Sequence, residues 1–171
     1  ERESNGGSYM KAYEFSKETR SFLENVPIPL AVYQYVDDQI CPLLVSKAYL
    51  DLFGYGSCEE AVYGLRTDLY RHVHPEDLAR MESDSYRFAT EGGIYDVLFR
   101  NKRDDQSEYH IIHGTGKLIE FCGSNMAFIT YTDETSDEDS KQKIKAVLTN
   151  LSGQYSFRDS MEYVRHFDAL T

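Results

Sequence analysis

The side chains with the widest chemical repertoire in this chain are its histidines and cysteines. His72 and His74 form an H-x-H pair that could serve a metal, but no third ligand stands at a diagnostic spacing. His74 precedes Pro75-Glu76-Asp77 and therefore reads as a capping or packing residue at a helix entry. His110 and His113 fall in a strand-like run and differ by three, so they point to opposite faces and at most one enters a core. That one is either a satisfied core histidine or a polar contact to a bound small molecule. Cys41, Cys58 and Cys122 are far apart, odd in number and form no C-x-x-C pair, which predicts reduced thiols rather than a disulfide, a zinc site or a redox switch. No G-x-S-x-G, Walker loop or dinucleotide fingerprint occurs, and no cysteine has a convergent histidine in sequence, so nucleophilic catalysis finds no support. The many carboxylates fall mostly in loops and helix starts, where solvation accounts for them.

The elements that must position these groups follow from pattern. Tyr9 to Glu24 has helical spacing, with Phe15, Thr19, Phe22 and Leu23 on one face, and Pro27 and Pro29 end it. Leu30–Val36 and Ile40–Ser46 read as strands around an Asp37-Asp38-Gln39 turn. Pro42 cannot donate to a ladder, so its N–H side is expected at an edge or a bulge. Ser46 is placed to cap a short helix, Lys47–Phe53, which Gly54 ends, and another helical piece is expected around Glu59–Gly64. His74-Pro75-Glu76-Asp77 opens a longer helix running to about Thr90 and stopping at Gly92-Gly93.

Three more strands are predicted: Ile94–Asn101, Tyr109–Glu120 and Asn125–Thr132. An acidic run from Asp133 to Asp139 then leads into Lys141–Leu151, where Ile144, Val147, Leu148 and Leu151 form an apolar stripe. Alternation puts Tyr95, Val97 and Phe99 on the core face of the third strand, where they line a cavity or fill it with rings. In the fourth strand the choice between Tyr109/Ile111/His113 and His110/Ile112 as the inner set is open.

Composition narrows the class. The chain has 171 residues, room for one domain with flanking helices, and 41% hydrophobic residues, enough for a packed core. Its net charge of −11 repels nucleic acid and anionic lipid, so no nucleic acid partner is expected. No apolar run reaches the length of a membrane span and no signal peptide opens the chain, which predicts a cytoplasmic protein without membrane insertion.

Three stretches carry a resemblance. Pro42 to Tyr55, "PLLVSKAYLDLFGY", is similar to the second strand and first helix of PAS domains. Val73 to Leu78, "VHPEDL", is similar to their entry into the long helix, and Tyr95 to Lys117 resembles the hairpin of the PAS subclass known as fold 3. The family's frequent Asn is Ser46 here, its hairpin Asp-Gly is Asp105-Gln106, and its strand Trp is Ile111. The resemblance implies an α+β fold, a five-stranded antiparallel sheet with helices on one face, over residues 27–134. A linker and amphipathic helix would occupy 1–26 and a helical linker 135–171.

Asp168-Ala169-Leu170-Thr171 after an amphipathic run resembles the opening of a GGDEF domain, the diguanylate cyclase fold. That implies a sensory module that controls cyclic di-GMP synthesis by a C-terminal output domain, and no enzyme within this chain. PAS domains hold haem, flavin or small metabolites. Gly64–Arg71 lacks the cysteine of light-sensing flavin members, and Pro75–Thr90 lacks an axial histidine for haem. The expected cofactor is accordingly none or an unknown small molecule, with haem and photoactive flavin disfavoured. Tyr95, Val97, Phe99 and His113 are the candidate ligand contacts. The two flanking stripes, through Phe15, Phe22, Ile144 and Leu148, are the candidate homodimer interface. The rivals are a small ketosteroid-isomerase-like pocket enzyme using His110 or His113 with a buried Asp, and a ligand-free PAS dimerisation scaffold.

Overall fold

The computed structural model describes residues 12–155. The strands are β1 (Leu30–Val36), β2 (Gln39–Val45), β3 (Ile94–Asn101), β4 (His110–Phe121) and β5 (Ser124–Asp133). They form the expected five-stranded antiparallel sheet, in the order β2-β1-β5-β4-β3. The helices are α1 (Lys17–Glu24), α2 (Lys47–Phe53), α3 (Cys58–Thr67), α4 (Leu78–Glu91) and α5 (Glu138–Tyr155), with a 3-10 turn at Pro75–Asp77. The chain divides into two compact units. One comprises the residues up to Arg71 with Gly116–Tyr131; the other comprises His72–Thr115 with the chain from Thr132 onward.

In the first unit, α1 starts later than the pattern predicts. Ser16 is extended and its hydroxyl accepts the Thr19 N–H at 3.2 Å, capping the helix there. The chain before it is held elsewhere: the Tyr13 N–H donates to Gln34 Oε1 at 2.8 Å. Phe15 therefore lies outside the helix, 7% exposed, in a cluster with Leu30, Val32, Leu43, Leu44 and Met126. The expectation that Phe15 and Phe22 share an uncovered stripe is corrected. Phe15 is consumed by its own core, while Phe22 is 72% exposed.

Asp37 and Asp38 both take left-handed φ, 51° and 63°, in the two-residue turn between β1 and β2. β2 is an edge strand, and its pairing with β1 shifts register between Val32 and Tyr33, where Tyr33 meets Pro42. The proline thus sits both at an edge and at a bulge, because only there is its missing N–H not required. Ser46 is fully buried with three jobs. Its hydroxyl donates to the Ile28 carbonyl at 2.7 Å, and accepts from the N–H groups of Leu30 at 2.9 Å and Tyr49 at 3.2 Å. It caps α2 and ties the entry of β1 to that cap. Gly54, at φ 80°, closes α2. α3 starts at Cys58, where Ser57 caps it by accepting from the Glu60 N–H at 3.1 Å, and runs past the expected Gly64 to Thr67.

In the second unit, His74 Nδ1 accepts the Glu76 N–H at 3.1 Å, the capping role its position predicts. α4 then runs to Glu91 and stops where Gly92 and Gly93 take positive φ. α5 begins with Asp137, whose carboxylate accepts the Ser140 N–H at 3.0 Å. α5 contacts β3, and Ile144 is 7% exposed. This corrects the expectation of an uncovered stripe at Ile144, for its side chain is buried within its own unit. Leu148 is half-buried. Leu151 and the GGDEF-like Asp168–Thr171 segment lie outside the described side chains. No helix of the described residues is long and apolar enough to cross a membrane.

Candidate functional site

Long helices at a domain surface are usually charged outside and apolar inside, and α4 departs from that rule. Asp77, just before it, is 0% exposed, Arg80 3% and Asp84 1%, alongside Met81 and Phe88. Asp77 takes the Arg100 backbone N–H at 2.8 Å and its guanidinium at 2.9 Å and 3.2 Å, while Arg80 approaches it at 3.6 Å. Burial pulls Arg80 below its ordinary pKa, and the charges of Asp77 and Asp84 oppose that pull. Asp84 pairs with Arg87 at 3.6 Å. Charges so deep require partners of opposite sign, and this set supplies them within one turn or one strand.

Beside this array a small cavity of about 120 Å³ is lined by Asp84, Arg87, Phe88, Ile94, Tyr95, Asp96 and Val97. Two of the four expected ligand contacts, Tyr95 and Val97, are thus brought together there, on the strand face that alternation predicts. Phe99 is buried on the same face but is not part of the cavity lining.

His113 is corrected. It is half-buried, and its Nε2 lies 2.6 Å from Asp96 Oδ1. Asp96 alternates with Tyr95 and Val97, so His113 belongs to the opposite face from the other three. Its Nδ1 lies 2.8 Å from Glu134 Oε2. Glu134 also accepts from the hydroxyls of Thr132, at 2.9 Å, and Ser140. Burial works against the His113 charge, but the bonds to Asp96 and Glu134 outweigh it and raise the imidazole pKa. Burial works the other way on Glu134, and its donors Ser140, His113 and Thr132 hold it below the ordinary carboxylate range. His110 Nδ1 lies 2.8 Å from Asp133 Oδ2, while Thr135 donates its N–H and hydroxyl to Asp133 Oδ1. The two strand histidines thus hold consecutive carboxylates, the last residue of β5 and the one after it.

In the first unit, Tyr49 and Phe53 each meet Tyr131 edge to face, with centroids 5.7 and 5.3 Å apart, and pack on each other at a tilt with centroids 4.4 Å apart, while the Tyr33 and Tyr131 hydroxyls lie 2.9 Å apart. Burial pushes the Tyr33 phenol up to about 12. Sequence reasoning missed this cluster, the buried charges of α4 and Glu134. The signal for the α4 set was available: Asp77, Arg80, Asp84 and Phe88 recur at helical spacing. Among the described residues no group of His, Cys, Asp and Glu is arranged to hold a metal.

Residues 42–126 match the family profile described as PAS fold. A light-oxygen-voltage protein of Rhodobacter sphaeroides superposes with a TM-score of 0.56 at 13% identity, covering 88% of each chain. A sensory box histidine kinase/response regulator of Burkholderia thailandensis gives 0.51 at 15%, covering 80% of this chain and 96% of its own. A light-oxygen-voltage domain studied with a flavin analogue gives 0.53 at 14%, covering 77% and 94%. No curated protein sequence matches. The chain carries a PAS-fold domain. At these identities the structural neighbours show the fold alone. The expectation that flavin is disfavoured rests on the missing cysteine before α4.

Proposed function

We propose that this chain is the input module of a signalling protein, and that α5 carries its state outward. One observation supports this above the others. α5 leaves the last strand after only four residues, and Ile144 anchors it to the unit that holds β3. A change in that unit is therefore delivered to the base of the helix. The resemblance at Asp168–Thr171 supports a GGDEF-type diguanylate cyclase as the output, with no catalysis in this chain. The net charge of −11 supports a cytoplasmic protein that binds neither nucleic acid nor anionic membrane. The cavity at Tyr95 and Val97 is the place for a small-molecule cue. The exposed Phe22 supports self-association into a homodimer, with Leu148 as a second contact.

The test is an Ile144→Asp substitution in the parent protein. It should unseat α5 and change cyclic di-GMP formation severalfold, while circular dichroism reports an intact sheet. Unchanged output, or a following domain of another class, would overturn the reading. An absorption spectrum of purified protein separates the cofactors: a flavin band would favour the light-oxygen-voltage neighbours over a colourless pocket.

A further inference from the structure

The ring of His113 stands between two carboxylates, Asp96 Oδ1 at 2.6 Å and Glu134 Oε2 at 2.8 Å. An ionised carboxylate only accepts hydrogen bonds, and a neutral imidazole has one N–H and one lone pair. With a neutral ring, one of the two contacts would set a lone pair against a carboxylate oxygen. Only the imidazolium satisfies both. His110 is the internal contrast: a single carboxylate faces its Nδ1, and the neutral tautomer with a proton there satisfies it.

The next link is Ser140, 3% exposed in the first turn of α5. Its hydroxyl has one hydrogen and two carboxylates within reach, Glu134 Oε1 and Asp137 Oδ2, the latter at 2.9 Å. Asp137 also accepts the Ser140 N–H, so it caps α5 from within the helix's own segment. The hydroxyl proton therefore has two seats. Given to Glu134, it ties α5 to the chain leaving the sheet; given to Asp137, it closes the cap and leaves that tie unmade.

We propose that His113 is a proton-binding site that latches the first turn of α5 to the sheet. Its imidazolium form bridges Asp96 on β3 and Glu134 after β5, holding Glu134 where Ser140 reaches it. Loss of the proton leaves Asp96 and Glu134 as two anions across a neutral ring. One of them must then withdraw, and the Ser140 hydroxyl turns to Asp137. The other charged groups of these elements do not substitute for the proton. Asp133 is held by His110 and Thr135, and Glu138 pairs with Lys141 at 3.2 Å in the exposed first turn of α5. The cue read at this point is acidity. The proposal rests on the reading of α5 as the output helix.

Nuclear magnetic resonance on the whole 171-residue chain tests it. The His113 ring nitrogens should titrate with a midpoint above the ordinary histidine value of about 6.5. The Ser140 backbone amide should shift with the same midpoint. Glu134→Gln should lower the ring midpoint and uncouple Ser140; His113→Gln should abolish the Ser140 transition, and His110→Gln should leave it in place. A ring midpoint at or below the ordinary value, a Ser140 amide that ignores the ring, or a transition that survives His113→Gln would overturn the latch. If His113→Gln fails to fold, Glu134→Gln decides alone, because an unchanged ring midpoint in that variant also overturns it. If the latch titrates as described and a fused output enzyme keeps constant activity across the same pH window, the output-helix reading fails and the latch stands.

Discussion

In the unit that contains β1 and β2, the most deeply buried side chains include Val32, Leu43, Leu44, Val45 and Met126. In the unit that contains α4, Asp77 and Asp84 are buried as completely, with Arg80 close behind. Similar depth is reached by different means. The first unit gains from apolar area removed from water, a term that ignores pH and does not depend on exact pairing. The second has taken charges out of water and must recover the cost through partners. The lesson is one of failure modes. Trimming an apolar side chain loses its own contribution and leaves a cavity, whereas removing one ion strands another.

The sharpest way to break this contrast is to cut both interiors. Asp77→Ala leaves Arg80 and Arg100 without their shared carboxylate and should cost about 3–5 kcal/mol, as for other broken buried pairs. Leu44→Ala should cost somewhat less, about 3 kcal/mol, from lost transfer energy and a partly collapsed cavity. Urea unfolding of both variants checks the ranking. If Asp77→Ala proves the milder change, ions do not hold the second unit.

A smaller effect sharpens the first unit's side. Tyr33→Phe removes a hydroxyl that meets Tyr131 at 2.9 Å and should cost about 1 kcal/mol. The phenolate titration of the protein, followed by ultraviolet absorbance, should at the same time lose one of its late components, since burial pushes the Tyr33 phenol up to about 12.

The smallest expected effect is the pH dependence, and it belongs to the second unit. The raised pKa of His113 means its contribution is full below about 6.5 and fades as pH rises through the higher folded value. Asp133 and Glu134 have lowered values, so their contribution is present above about 4.5 and fades as pH falls through the lower folded values. Stability of this unit should therefore be greatest between about 4.5 and 6.5. Hydrogen exchange resolved by segment, after correction for the intrinsic rate, should show protection in β3 and α5 declining above that window. Protection in β1 and β2 should stay level. A parallel decline in β1 and β2 would erase the contrast.

What the sequence announced, and what it hid, divides along similar lines. The Ser46 cap, the Gly54 stop, the His74 entry and the Pro42 bulge were legible because each is fixed by a residue's own geometry or by a neighbour a few positions away. Phe15 was misplaced because helical periodicity continues smoothly through it. What ends the helix is the Ser16 cap together with the hold of Gln34 on Tyr13, a partner 21 residues distant. Arg80 and Asp84 were passed over because a pattern of apolar and charged positions assigns charge to the outside, and the pairing of their neighbour Asp77 across to Arg100 is invisible in one dimension. The side on which His113 falls depended on the register of β4 against β3. Strand alternation fixes faces relative to neighbours in the chain, not relative to another strand. Tyr95 and Val97 were correctly joined because they sit on one strand.

Pro42 has a further consequence. An outermost strand offers its free N–H and C=O groups to any passing chain, and that is how ordered aggregates begin. On β2 this offer is largely withdrawn. Pro42 brings no N–H, its carbonyl is taken by Arg66 Nε at 2.8 Å, and the next carbonyl, that of Leu43, is covered by Arg20 at 3.5 Å. The bulge opposite disturbs the flat run a recruited strand would need. The same proline that bends the pairing with β1 thus makes this edge of the sheet a poor template for another strand.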